Sequence, residues 1–150
     1  MLQPVSPYRA PAGIAARAFC VRDDATTLDW AISVVSIEGT IPEGSAGRDH
    51  AEYITLASLE AMARQDAKCL VLDFSECDYS WGNSIDRVFD AVRRLYHYEW
   101  YDLDMMPPVK VVVSKRSAGL RSLLDPDIIF DDIESAIASC SLDLDKWNTD

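Results

Sequence analysis

Apolar residues recur along this chain in two rhythms that take turns. Residues 18–22 (AFCVR) and 31–37 (AISVVSI) are rich in apolar and β-branched side chains and partly alternate with polar ones, as half-covered strands do. The first ends at a turn near Asp23 and Asp24, and the second stops at Gly39 and Pro42. Two such runs in close succession predict a hairpin. From Asp49 or a neighbour, which can cap a helix, Ala51, Ile54, Ala57, Ala61 and Met62 follow at close to helical spacing as far as about Gln65. Residues 68–74 (KCLVLDF) are apolar nearly throughout, which predicts a central strand covered on both faces. Asn83 or Ser84 then caps the clearest helix, where Ile85, Val88, Phe89, Val92 and Leu95 form one apolar stripe. Residues 109–113 (VKVVV) read as another buried strand behind Pro107 and Pro108. Ser117 is positioned to cap a short helix carrying Leu120, Leu123 and Leu124, and residues 128–130 (IIF) form a last short strand. Asp131 with Glu134 resembles a capping box for a final helix with Ile133, Ala136, Ile137 and Cys140 on one face. The order β-β-α-β-α-β-α-β-α predicts an α/β fold: a single-layer mixed, largely parallel sheet with helices packed on it.

Five stretches give this order a family likeness. They are residues 34–39 (VVSIEG), 70–75 (LVLDFS) and 109–113 (VKVVV), the pair Leu123 and Leu124, and residues 129–137 (IFDDIESAI). Over residues 18–141 the chain resembles a STAS domain, the fold of anti-sigma factor antagonists, stressosome subunits and the cytoplasmic tails of sulfate transporters. The resemblance implies a regulatory, non-enzymatic module that binds a protein partner, a regulator or a kinase-like protein. In the regulatory members a serine or threonine at the start of the helix after the central strand is phosphorylated, which adds charge to the docking surface. The family's motif falls here on Trp81, Gly82, Asn83 and Ser84. Asn83 stands at the acceptor position and has no hydroxyl, so the usual switch is not expected, although Ser80 and Ser84 flank it. The expected partner surface is therefore Asp78, Tyr79, Ser80, Trp81, Gly82, Asn83 and Ser84. A second resemblance, to the ClpP and crotonase fold, implies instead a small or inactive hydrolase with Ser117 as nucleophile. That reading expects the second and third helices on opposite faces of the sheet, and it lacks the paired glycines of an oxyanion hole.

At 150 residues the chain is of ordinary single-domain size. Residues 1–17, with Pro4, Pro7 and Pro11, are expected to form an arm, 18–141 the domain, and 142–150 an acidic tail. A formal net charge of −11 argues against binding to nucleic acid or anionic membrane. The dense basic group Lys115, Arg116 and Arg121 reads as a solvated helix start. Cys20, Cys69, Cys77 and Cys140 contain no C-x-x-C pair, and neither His50 nor His97 lies at zinc-ligand spacing from them. Reduced, buried thiols in a cytoplasmic protein are expected, with no metal and no cofactor. A homodimer through the first strand is compatible with its apolar character.

The remaining chemistry is weaker. The loop at residues 39–45 (GTIPEGS) has two glycines at phosphate-loop spacing, but Ser45 stands where the lysine belongs. Asp49, His50 and Glu52 gather acids and an imidazole where a helix start already favours acids. Asp73, at the end of the central strand, is expected to accept backbone N–H bonds from the following turn. The link after the clearest helix carries Tyr98, Trp100 and Tyr101, with Met105 and Met106 beyond them. Such residues suit a binding surface, and the link is expected either to form a secondary one or to cover the sheet edge. Trp147 lies in the acidic tail, and nothing in the sequence decides its place.

Overall fold

A computed structural model of the chain describes residues 1–5, 9–22, 31–96 and 109–148. Within them the strands form a five-stranded sheet in chain order. β1 (Ile14–Arg22) runs antiparallel to β2 (Ala31–Thr40), as a hairpin requires. β3 (Ala67–Asp78), β4 (Val109–Val112) and β5 (Ile129–Phe130) follow in parallel. This is the mixed, largely parallel sheet that the alternating rhythms predict. β1 begins at Ile14, ahead of Ala18, because pairing continues to the hairpin's open end: the Ile14 side chain is buried and Thr40 N–H donates to Gly13 C=O at 3.0 Å. The turn near Asp23 and Asp24 lies outside the described residues.

α1 (Arg48–Gln65) and α2 (Asp86–Tyr96) contribute to one large core, and α3 (Ile133–Asn148) to a second, smaller one. β3 explains why its sequence lacks alternation. Leu70, Leu72 and Phe74 join Ile54, Met62, Val88 and Val92 in the large core, while Cys69 and Val71 join Ala136 and Leu144 in the small one. Leu120, just after β4, belongs to the same core as α2. Lys110 sits in β4 among valines, buried, and its Nζ meets Asp143 of α3 at 2.8 Å. Buried Leu144 lies beyond residue 141, and the helix continues to Asn148 where a tail was expected.

The expectation of four reduced thiols is corrected. Cys69 of β3 and Cys140 of α3 face each other across the small core with Cα atoms 6.2 Å apart, and they form a disulfide. Cys77 is a buried free thiol, and Cys20 is free and exposed.

Three helix starts also differ from expectation. α1 is entered from a 3-10 turn, Gly44–Gly47, so its cap residue is Gly47 and Asp49 lies inside the first turn. The 3-10 run after β4, Lys115–Ser122, is capped by Ser114, and Ser117 is the reciprocal member of the capping box. Asp132, not Asp131, accepts the Ser135 N–H at 2.7 Å at the start of α3. In the last two cases the residue is of the expected type and only the register is displaced, because local propensity fixes a cap only loosely, whereas α1 has a glycine with no side-chain cap bond.

Candidate partner-binding surface

β3 carries the candidate surface to the carboxyl edge of the sheet. Its last residues and the two that follow keep an in-and-out alternation: Cys77 is buried, Asp78 exposed, Tyr79 buried and Ser80 exposed. Continued alternation would bury Trp81. The chain turns instead at Gly82, whose φ of 131° suits glycine, and Trp81 is left 59% exposed. The tryptophan ring lies against Gly44, where a Cβ would come within 2.9 Å of it, so Gly44 makes the seat for the indole.

The surrounding backbone holds this loop from two sides. Ile41 N–H donates to Asp78 C=O at 2.9 Å, and Gly44 N–H to Trp81 C=O at 3.3 Å, which ties it to the β2–α1 connection. Tyr79 N–H donates to Arg116 C=O at 3.0 Å, and this ties it to the run after β4. A Cβ on Gly119 would stand 2.0 Å from Ser80 C=O, so the two backbones cross in contact. The Tyr79 hydroxyl folds back to donate to Gly82 C=O. The N–H groups of Asp86 and Arg87 donate to Asn83 C=O at 3.1 Å and Ser84 C=O at 3.2 Å, starting the first turn ahead of α2.

Arg116 is the electrostatic clasp. Its guanidinium grips Asp78 with two bonds, Nε to Oδ1 at 2.9 Å and Nη2 to Oδ2 at 3.2 Å, and reaches Glu76 at 3.0 Å. The guanidinium's hydrogen bonding holds the Asp78 carboxyl below the usual carboxylate range. Burial, and then the charge of Asp86, pushes the Tyr79 hydroxyl up. Burial and then the neighbouring Asp78 charge push the Cys77 thiol up to about 12, so it stays protonated and unreactive at neutral pH. Sequence reading placed Arg116 in a solvated basic group. Here Arg116 is paired with Asp78 and Glu76, and Arg121 with Asp131 at 2.6 Å.

The seven expected surface residues are thus brought together but divided in role. Trp81, Ser80, Asn83 and Asp78 are exposed, Gly82 and Ser84 half-buried, and Tyr79 is an internal support. Tyr98, Trp100 and Tyr101 lie outside the described residues. Gly119 and Gly44 were missed, since a lone glycine does not reveal which backbone approaches it.

The other candidates have structural occupations. Ser117 is fully buried, and its Oγ accepts the Ser114 N–H at 3.1 Å. His50 Nε2 donates to Ala12 C=O at 3.1 Å and fastens the residues before β1 onto α1. Asp73 accepts the Ser75 N–H at 3.0 Å and the Ser36 hydroxyl at 3.4 Å, but β3 runs on to Asp78, so these bonds lie within the sheet and not in the turn expected to follow Asp73. Among the described residues no group of three or more His, Cys, Asp and Glu side chains could hold a metal, and no helix is long and apolar enough to cross a membrane.

No protein-family model matches this chain, and no curated protein does. Among solved structures it is similar to the crystal structure of an anti-sigma factor antagonist from Mycobacterium paratuberculosis. The TM-score is 0.49 at 18% identity, over 85% of this chain and 95% of that one.

Proposed function

We propose that this chain is a non-enzymatic regulatory domain that binds a protein partner through the loop at residues 78–84, with Trp81 as its anchor. The observation that carries this reading is a large aromatic ring, 59% exposed, on a loop whose backbone is already fixed by three neighbours. A tryptophan held in place before binding offers contact area with little ordering cost left to meet. A non-catalytic role is supported by the state of the candidate nucleophiles: Ser117 is sealed in a capping box and Cys77 is protonated. Asn83 is exposed at the position where the resembling family carries its phosphorylated hydroxyl, so binding here is constitutive at that position.

The test is affinity capture from the native cell extract with wild type and Trp81→Ala side by side. The expected outcome is one specific protein retained by wild type and lost in the variant, with unchanged circular dichroism. The proposed surface is wrong if both chains retain the same protein equally, or if neither retains any.

A further inference from the structure

A second surface stands apart from Trp81. Between α1 and α2 lies an open groove of about 560 Å³, lined by Arg48, Glu52, Leu56, Arg87, Asp90 and Arg94. Three arginines meeting in one groove is unexpected in a chain of net charge −11. Their partners make it more so. Arg48 and Glu52 are four residues apart on α1, and Asp90 and Arg94 four apart on α2, the spacing at which helical ion pairs form. Arg64 and Glu60 use that spacing on α1 and close to 3.2 Å. Among the described residues Arg48, Arg87 and Arg94 enter no ion pair at all, whereas Arg17, Arg64, Arg116 and Arg121 each do. The lining is apolar in part, since Leu56 of α1 borders the groove and is 40% exposed.

We infer that this groove docks an acidic, leucine-bearing segment of a protein partner, whose carboxylates complete the pairing of Arg48, Arg87 and Arg94 and whose apolar side chain covers Leu56. Charge complementarity selects the occupant. Guanidinium groups recognise carboxylates in a two-pronged geometry, and the chain's net charge of −11 disfavours an acidic segment away from such a cluster. Glu52 and Asp90, between the arginines, set the register by opposing a carboxylate at their own positions. The groove lies between two helices, so a third amphipathic helix can seat in it.

The test uses a fluorescein-labelled synthetic peptide with leucines at helical spacing and glutamates elsewhere, followed by fluorescence anisotropy. Two control peptides carry glutamine or lysine in place of the glutamates. The expected result is saturable binding of the glutamate peptide alone, weakening as salt rises. Each of Arg48→Gln, Arg87→Gln and Arg94→Gln should weaken binding about threefold, and the triple variant at least about tenfold. Because all three side chains are exposed, folding is expected to survive, checked by circular dichroism. Trp81→Ala should leave this affinity unchanged, which separates the groove from the loop surface. Equal binding of the glutamine peptide, unchanged affinity in the triple variant, full competition by equimolar inorganic phosphate, or no binding at all would overturn the inference.

Discussion

The two faces of the sheet are built on different terms. On one, α1 and α2 press Ile54, Met62, Val88, Phe89 and Val92 onto Leu70, Leu72 and Phe74 in a large apolar core. On the other, α3 alone brings Ala136, Cys140 and Leu144 to Ile32, Val34 and Val71, and it adds a disulfide and the Lys110–Asp143 ion pair. Burial scales with area, so the face with two helices holds itself and the face with one uses discrete bonds to hold its helix. A strand such as β3 serves both faces, and damage there should reach everything.

Four perturbations sharpen or break this contrast. The largest effect is expected from Phe74→Ala, which empties a fully buried site of the large core and should cost about 3–5 kcal/mol in a denaturant titration. Reducing the Cys69–Cys140 bond should cost roughly 2–4 kcal/mol, since it closes a loop spanning 71 residues of sequence. Hydrogen exchange would show where: α3 amides should lose protection while those of α1 keep theirs. Equal loss on both faces would mean that they unfold as one unit and would end the contrast.

Lys110→Ala should cost about 1–3 kcal/mol by stranding Asp143, while a methionine variant that removes both charges together, Lys110→Met with Asp143→Leu, should be close to neutral because apolar side chains fill the space of the pair. If the methionine variant is as damaged as the alanine one, the ion pair is more than a substitute for packing. The smallest effect is expected at Asp132, whose carboxyl is held below its ordinary range mainly by the Ser135 backbone N–H. An acid depressed in the folded chain stabilises it above the unfolded value, about 3.9, and that stabilisation disappears as the pH falls through the folded pKa. Protection of the first turn of α3 should therefore weaken on acidification below about pH 4. Asp132→Ala should lower the melting temperature by a few degrees and remove this acid dependence.

How far the sequence could be read depended on how local each signal was. The strands and helices were legible because each rhythm belongs to one element, and Lys68–Phe74 even told that β3 is covered on both sides. The disulfide was not: Cys69 and Cys140 lie on a strand and a helix whose meeting is a property of the whole fold, and no spacing rule spans them. The loop at residues 78–84 was located with Trp81 as the candidate anchor, but whether Trp81 is exposed or folded back onto the core was not legible. What decides it is the turn at Gly82 and the space above Gly44, a long-range contact. Arg116 was visible as a charge, while its Asp78 and Glu76 partners came from the neighbouring strand.

The contact between Gly119 and Ser80 has a consequence for anyone who would move this surface elsewhere. A Cβ at Gly119 would overlap the Ser80 carbonyl, and one at Gly82 would crowd the Gly44 backbone at 3.1 Å. The Trp81 loop is therefore shaped from outside as much as by its own sequence. A seven-residue graft of residues 78–84 onto another scaffold would carry the tryptophan without its posture. The smallest transplantable unit is three strand ends with their connections, taken together.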